Sequence, residues 1–165
     1  MEESVVKMIN QAILPHFFKI EELKTHQETA QSIKDMIVRG AGAIGATAGF
    51  GMAQVVVEAP DSSAFQDSIK AGARTLAHTR PTAQNLFYAI KRVKDAAERA
   101  SSVREARQNA IEEAQAIAEE DVASCASIGC HGAALIKEGA RVLTHCNAGW
   151  LAFVDWGSAL APIYT

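Results

Sequence analysis

With 165 residues, 48% of them apolar and 21% charged, the chain has the balance of one globular domain, or of one domain with part of a second. A net charge of −3 with scattered basic residues offers no field for nucleic acid or an anionic membrane, and no apolar run reaches membrane-spanning length. MEESVVKMINQ has no signal-peptide shape, and three cysteines at irregular spacing argue against a disulfide framework, so the expected compartment is the cytoplasm.

In chain order, Thr25-His26-Gln27-Glu28 reads as a capping box. It opens a helix that carries Ile33, Met36 and Ile37 on one face, with Gly40 as its C-terminal stop. A second helix, from about Ala43 to Val57, is apolar nearly all round with small residues on several faces, so burial is expected. Pro60 and Asp61 close it. Asp61-Ser62-Ser63 can cap a third helix that runs to about His78. Pro81 suits the first turn of a fourth, which carries Leu86, Phe87, Ile90 and Val93. Ser102 and Glu105 form another capping box. The long helix behind them puts Val103, Ala106, Ala110, Ile117 and Val122 near one stripe.

Gly129 and Gly132 interrupt that helix, and Gly139 ends the helical region. Ala140 to Cys146 then reads as a short buried strand, Asn147-Ala148-Gly149 as a turn, and a new helix starts near Trp150. This is the first strand-turn-helix of a parallel α/β unit. A lone strand has no sheet to join, so the chain reads as the front part of something larger, or as one that pairs with another chain. The expected fold is a mainly α-helical N-terminal domain over residues 1–139, with room for a small N-terminal β element. Residues 140–165 would begin an incomplete, Rossmann-like α/β domain.

Three features carry chemistry. Val38 to Gly51 holds a G-x-G-x-x-G at Gly40, Gly42 and Gly45. A dinucleotide fingerprint needs a strand before the glycines and an acid about 20 residues later. A helix precedes these glycines, and Glu58 and Asp61 come too early. Close helix packing by small residues is a second reading. A third is a helix N-terminus that presents free N–H groups to an anion, with Arg39 beside it. Arg80-Pro81-Thr82 opens a helix in a similar way; an ordinary surface arginine is the alternative. Thr144-His145-Cys146-Asn147-Ala148-Gly149 sits where ligands bind in open α/β sheets. Cys146 there could be an acid, a base or a nucleophile, or simply a buried structural thiol. Cys125, Cys130, His131, His145 and Cys146 match no standard zinc spacing, and no G-x-S-x-G elbow is present. His16, His26 and His78 have no partners visible in sequence.

Three segments together go further: MIVRGAGAIGATAGFGMA (36–53), RPTAQNLFYAI (80–90) and VLTHCNAGWLAFVDWGSALAPIY (142–164). They resemble the methylthioribose-1-phosphate isomerase family, which belongs with the alpha, beta and delta subunits of translation initiation factor 2B. MINQAILP (8–15) is similar to that family's DQTLLP segment. The resemblance covers nearly the whole chain, as its N-terminal portion. It implies that Arg39, Gly40 and Ala41 match the family's R-G-A substrate-binding segment, that Arg80 matches its second substrate-binding arginine, and that Cys146 matches its active-site cysteine. The implied reaction converts an aldose 1-phosphate to a ketose 1-phosphate without metal or cofactor. The substrate implied is 5-methylthioribose 1-phosphate, in methionine salvage; some members take 5-deoxyribose 1-phosphate. The family's other catalytic residue is an aspartate in a C-terminal domain, and no acid here, Asp155 included, takes that role. The implied partners are the sugar phosphate and either the missing C-terminal half or further copies of the chain. A non-catalytic regulatory module like the initiation-factor subunits is the alternative.

The chain departs from the family pattern in three ways. Gly42 stands where R-G-A-P-A-I-G has Pro, Asn10 stands where Asp is usual, and the start looks short of the first strand of an N-terminal hairpin.

Overall fold

The computed structural model describes residues 4–165. Two short strands, β1 (Val6–Ile9) and β2 (Ile20–Leu23), precede five helices: α1 (His26–Lys34), α2 (Ala41–Glu58), α3 (Phe65–Ala77), α4 (Gln84–Glu98) and α5 (Val103–Ala133). A 3₁₀ turn at Trp150–Ala152 and a one-turn helix, α6 (Ala161–Tyr164), follow. The strands form an antiparallel hairpin with Val6 opposite Leu23 and Ile9 opposite Ile20. Alternation explains its faces: Val6 and Leu23 point into the core, while Lys7 and Glu22 pair outside at 2.8 Å.

The mainly helical expectation holds, and α2 is its axis. Every residue from Gly42 to Val56 except Phe50 is buried. The helix is packed by α1, α3, α4, α5, β1 and the 3₁₀ turn. Small side chains make this possible. At Gly51 a Cβ would press into Thr29 of α1 and Leu76 of α3, so the close approach of those helices requires glycine. Around this axis Ile33, Met52, Ile69, Leu76, Leu86 and Val93 are fully enclosed.

One buried polar side chain stitches the layers together. Gln54 of α2 accepts a hydrogen bond from Thr29 Oγ1 (2.6 Å) and donates to the carbonyls of Leu23 (2.9 Å) and Ser4 (2.8 Å). Its amide thus meets α1, β2 and the residue leading into β1, and no group is left unpaired.

Several local expectations are corrected. Gly40 does not end α1; it is the N-cap of α2. The helix stops earlier, in a Schellman motif: Met36 takes the left-handed conformation (φ 59°), its N–H reaches Ile33 O, and Ile37 N–H reaches Ser32 O at 2.9 Å. The left-handed position is filled by methionine, so the usual glycine signal is missing. Pro81 lies in a turn before α4, which begins at Gln84. Ala64, not a serine, is the N-cap of α3. The α5 helix runs through Gly129 and Gly132, which face Ala161 and Pro162 of α6. Its N-terminus is capped by Ser102, while Glu105 reaches one residue further back, to Ser101.

The largest difference concerns residues 140–146. They form no strand, and all are exposed. A strand needs a neighbouring edge for its N–H and C=O groups, and among the described residues the hairpin is the only sheet. The α/β unit expected there does not form; a loop, the 3₁₀ turn and α6 take its place.

Replacing Gln54 by Leu leaves the Thr29 hydroxyl and two carbonyls without their partner. We expect urea unfolding to show a loss of roughly 2–3 kcal/mol. A loss below about 0.5 kcal/mol would mean that these bonds are replaced by water at no cost.

Candidate active site

The candidate site lies where the first turn of α2 meets the segment after Cys146. Its construction starts at Asn10, which is buried at the end of β1. The Asn10 N–H donates to Lys19 O, its Nδ2 donates to Glu21 Oε1 (2.8 Å), and its Oδ1 accepts from Ala12 N–H (3.0 Å). An aspartate could not donate to Glu21, which gives the Asn10 departure a physical reason. The turn built on Asn10 aims Gln11 at the loop between α1 and α2. Gln11 N–H bonds Ile37 O (2.9 Å), and Gln11 Nε2 donates to both Arg39 O (3.3 Å) and Leu151 O (2.7 Å).

Arg39 is exposed, with only its Nε engaged, to Met36 O at 3.2 Å. Gly40 follows with φ 99°, a conformation that L side chains rarely adopt. A Cβ on Gly40 would also overlap the backbone of Ala152. Ala41 is exposed at the start of α2, whose N-terminus receives no side-chain cap. Its first N–H groups therefore keep their partial positive charge available, next to Arg39. On the other side of this turn, Gly42 faces Phe153 and Asp121 of α5. Asp121 accepts a hydrogen bond from Val154 N–H at 2.8 Å. Burial raises the carboxyl pKa of Asp121, against the lowering effect of that bond.

Arg80 lies in the turn between α3 and α4, and its Nη1 is buried without a hydrogen-bond partner. The start of α4 is close to the site, because Asn85 packs on Gly45 of α2. Cys146 is exposed and in the left-handed conformation (φ 63°). It is not the buried structural thiol that was the alternative reading. The structure therefore joins Arg39, Gly40 and Ala41 to the turn that follows Cys146. Among the described residues no hydrogen bond links any two of Arg39, Arg80 and Cys146. The zinc reading gathers no cluster: Cys125 is buried while Cys130, His131, His145 and Cys146 are exposed.

Two clefts flank the first turn of α2. One, of about 270 Å³, lies between the hairpin and the 150s segment, lined by Met8, Gln11, Val38, Phe50, Trp150 and Phe153 among others. The other, about 200 Å³, is bounded by Gly42, Gly45, Asn85, Tyr88, Asp121 and Ser124. Beside it, Arg92 bridges α4 and α5 through Glu113 and Glu120, and these carboxylates hold its guanidinium firmly protonated. Gln11, Asp121 and Asn85 were not picked out as site residues from sequence. For Gln11 the only sequence signal is its place in the MINQAILP segment, and Asp121 carries none. No described helix is long and apolar enough to cross a membrane.

A family model described as the initiation factor 2 subunit family matches residues 37–164. The methylthioribose-1-phosphate isomerase of Methylorubrum populi is 47% identical over 168 residues, covering 98% of this chain and 45% of that protein. The crystal structure of translation initiation factor eIF-2B, subunit delta, from A. fulgidus matches with a TM-score of 0.87 at 40% identity, over 98% of this chain and 50% of that one. That of 5-methylthioribose 1-phosphate isomerase from Pyrococcus horikoshii OT3 matches with a TM-score of 0.87 at 42% identity, over 95% and 45%. The chain spans about half the length of the curated relatives it matches.

Two measurements follow. Gly40→Ala must both strain the backbone and push Ala152 away. We expect a stability loss of about 1–3 kcal/mol and a red-shifted fluorescence. The signal is specific, because the two tryptophans, Trp150 and Trp156, both lie in the displaced segment. Unchanged emission would mean that the segment does not rest on Gly40. Thiol labelling provides the second. Burial, with Asp121 and Asp155 nearby, pushes the Cys125 thiol up to about 11, whereas Cys130 and Cys146 are exposed. At about pH 8 two thiols should react fast and the third only on unfolding; three fast thiols would contradict this packing.

Proposed function

The chain belongs to the initiation factor 2 subunit family, and on that premise we propose that it forms one wall of an aldose–ketose isomerase site. The substrate class is a 5-substituted ribose 1-phosphate, and the reaction turns 5-methylthioribose 1-phosphate into the 2-ketose in methionine salvage. The observation that carries the reading is the contact of Gly40 with Ala152, which brings the R-G-A segment against the turn that follows H-C-N-A-G.

The chemistry suits these residues. A phosphate on C1 locks the sugar ring, so the ring oxygen must be protonated before the ring can open. A hydrogen then leaves C2 and one arrives at C1. Arg39 and the uncapped N–H groups of α2 are suited to the phosphate and nearby hydroxyls. Arg80 Nη1 is buried without a protein acceptor, so a substrate oxygen would satisfy it. Cys146 is proposed as a proton-transfer group or as a stabiliser of the intermediate. The family resemblance assigns the second proton-transfer group to an aspartate in a segment that this chain does not include. We take residues 140–165 as the approach to that second domain, and the protein as cytoplasmic, working without a cofactor together with the remaining half or with further copies.

A regulatory module without catalysis is the second reading. It is favoured by the delta-subunit structure, which matches as well as the isomerase structure does. An exposed thiol in a left-handed loop has no evident use in such a module.

The test is ketose formation from 5-methylthioribose 1-phosphate, with this chain alone and with the unmatched remainder of the Methylorubrum relative added. Activity is expected only on addition, and Cys146→Ser should lower it by about 10²–10⁴-fold. Full activity of that variant would remove the role of the thiol. No activity in either mixture would favour the regulatory reading.

A further inference from the structure

We infer that Gln11 is a positioning residue: its side-chain amide locks the loop carrying Arg39 to the segment carrying Cys146, and so sets the distance between the two. The catalytic consequence rests on the isomerase reading; the mechanical coupling does not.

The geometry is specific. One side-chain nitrogen of Gln11 donates to Arg39 O and to Leu151 O, in segments that neither pair with each other in a sheet nor share a helix. The Gln11 backbone adds a third bond, to Ile37 O. Gln11 itself is held by the Asn10 turn, so the donor is oriented before it meets its acceptors. Carbonyls at 39 and 151 cannot bond each other, because both are acceptors. Without the amide between them they would face each other unpaired or take up water, and the spacing would relax.

The 150s segment is fastened on its other side as well, by Asp121 to Val154 N–H. It is therefore clamped between the hairpin end and α5, with Ala152 seated on Gly40 in the middle. Gln11 touches neither the Arg39 guanidinium nor the Cys146 thiol. Its action is to fix where the backbones bearing them stand. The reacting groups of a sugar phosphate must be held to within a fraction of an ångström, so a loosened clamp should slow the chemistry more than it weakens phosphate binding.

The experiment uses Gln11→Met, which keeps the length of the side chain and removes the donor, and Gln11→Glu, which keeps the shape and can only accept. Hydrogen exchange is read at Ile37 and Ile44, whose N–H groups bond Ser32 O and Gly40 O, and at Ala152 and Phe153, which bond Gly149 O and Trp150 O. Both variants should speed exchange at both pairs by about tenfold or more while the α4 and α5 core keeps its protection. Acceleration at one pair only, or equally throughout the protein, would overturn the coupling. In the supplemented isomerase assay, kcat should fall about tenfold with KM changed by less than about threefold. A change confined to KM would overturn the positioning role. If the unaltered chain shows no activity in that assay, the isomerase reading fails, and exchange alone decides the coupling.

Discussion

Burial of α2 on all sides is the constraint on which everything else depends. A helix enclosed by four others cannot carry large side chains at every position, because interaxial distances of about 8–10 Å leave no room for them. The run Gly42 to Ala53 meets this with glycine, alanine and threonine, interrupted by Ile44, Phe50 and Met52. The same economy that lets the helices close around α2 leaves its first turn bare. Gly40, Ala41 and Gly42 have no polar side chain that could cap the free N–H groups. The packing solution and the candidate anion site are therefore one feature of the sequence, seen at the two ends of one helix.

The polar groups of the interior are placed to register other elements on that axis. Gln54 takes three hydrogen bonds from three directions deep in the core, and Gln11 makes the comparable connection at its mouth. Both use a side-chain amide, which can donate and accept without the desolvation cost of a charge. The charged networks lie further out. Arg92 with Glu113 and Glu120 braces α4 against α5 near the surface, where water screens the ions and their contribution is small. Neutral amides thus fix the geometry inside, and charges decorate it outside.

Much of this was legible in the sequence. The capping box at Thr25, the Ser102 cap, the buried character of α2 and the order of the five helices follow from periodicity and from side chains that accept backbone bonds locally. What escaped has a common cause. Met36 ends α1 in a conformation normally taken by glycine, because tertiary contacts hold the turn that its own propensity disfavours. Gln11 and Asp121 act on residues far from them in sequence, and no local pattern marks a side chain by the distant carbonyl or N–H that it will meet. Arg39, Gly40, Arg80 and Cys146 stand out in local pattern only as candidates beside blander readings; the family resemblance is what singles them out and adds Ala41. Geometry adds the contact of Gly40 with Ala152 and the unpaired nitrogen of Arg80.

Residues 140–146 show where the reading of a sequence and the fold of a chain part company. Val142, Leu143 and Thr144 have strand-like composition, yet Leu143 is 97% exposed. Propensity for a strand is mostly a statement about surroundings: a pleated, half-buried surface flanked by partners. Helices can satisfy their own backbone; a strand cannot, and its formation is decided by another segment. The apolar run therefore stays in a loop, because no neighbouring edge stands beside it among the described residues. The turn behind it, by contrast, is fully determined here, because Gly157 and Gly149 close on each other and Ala152 rests on Gly40. The boundary between order and expectation falls at Cys146 itself. Cys146 is exposed with φ 63° just ahead of that turn, whose position is set by the contact of Ala152 with Gly40.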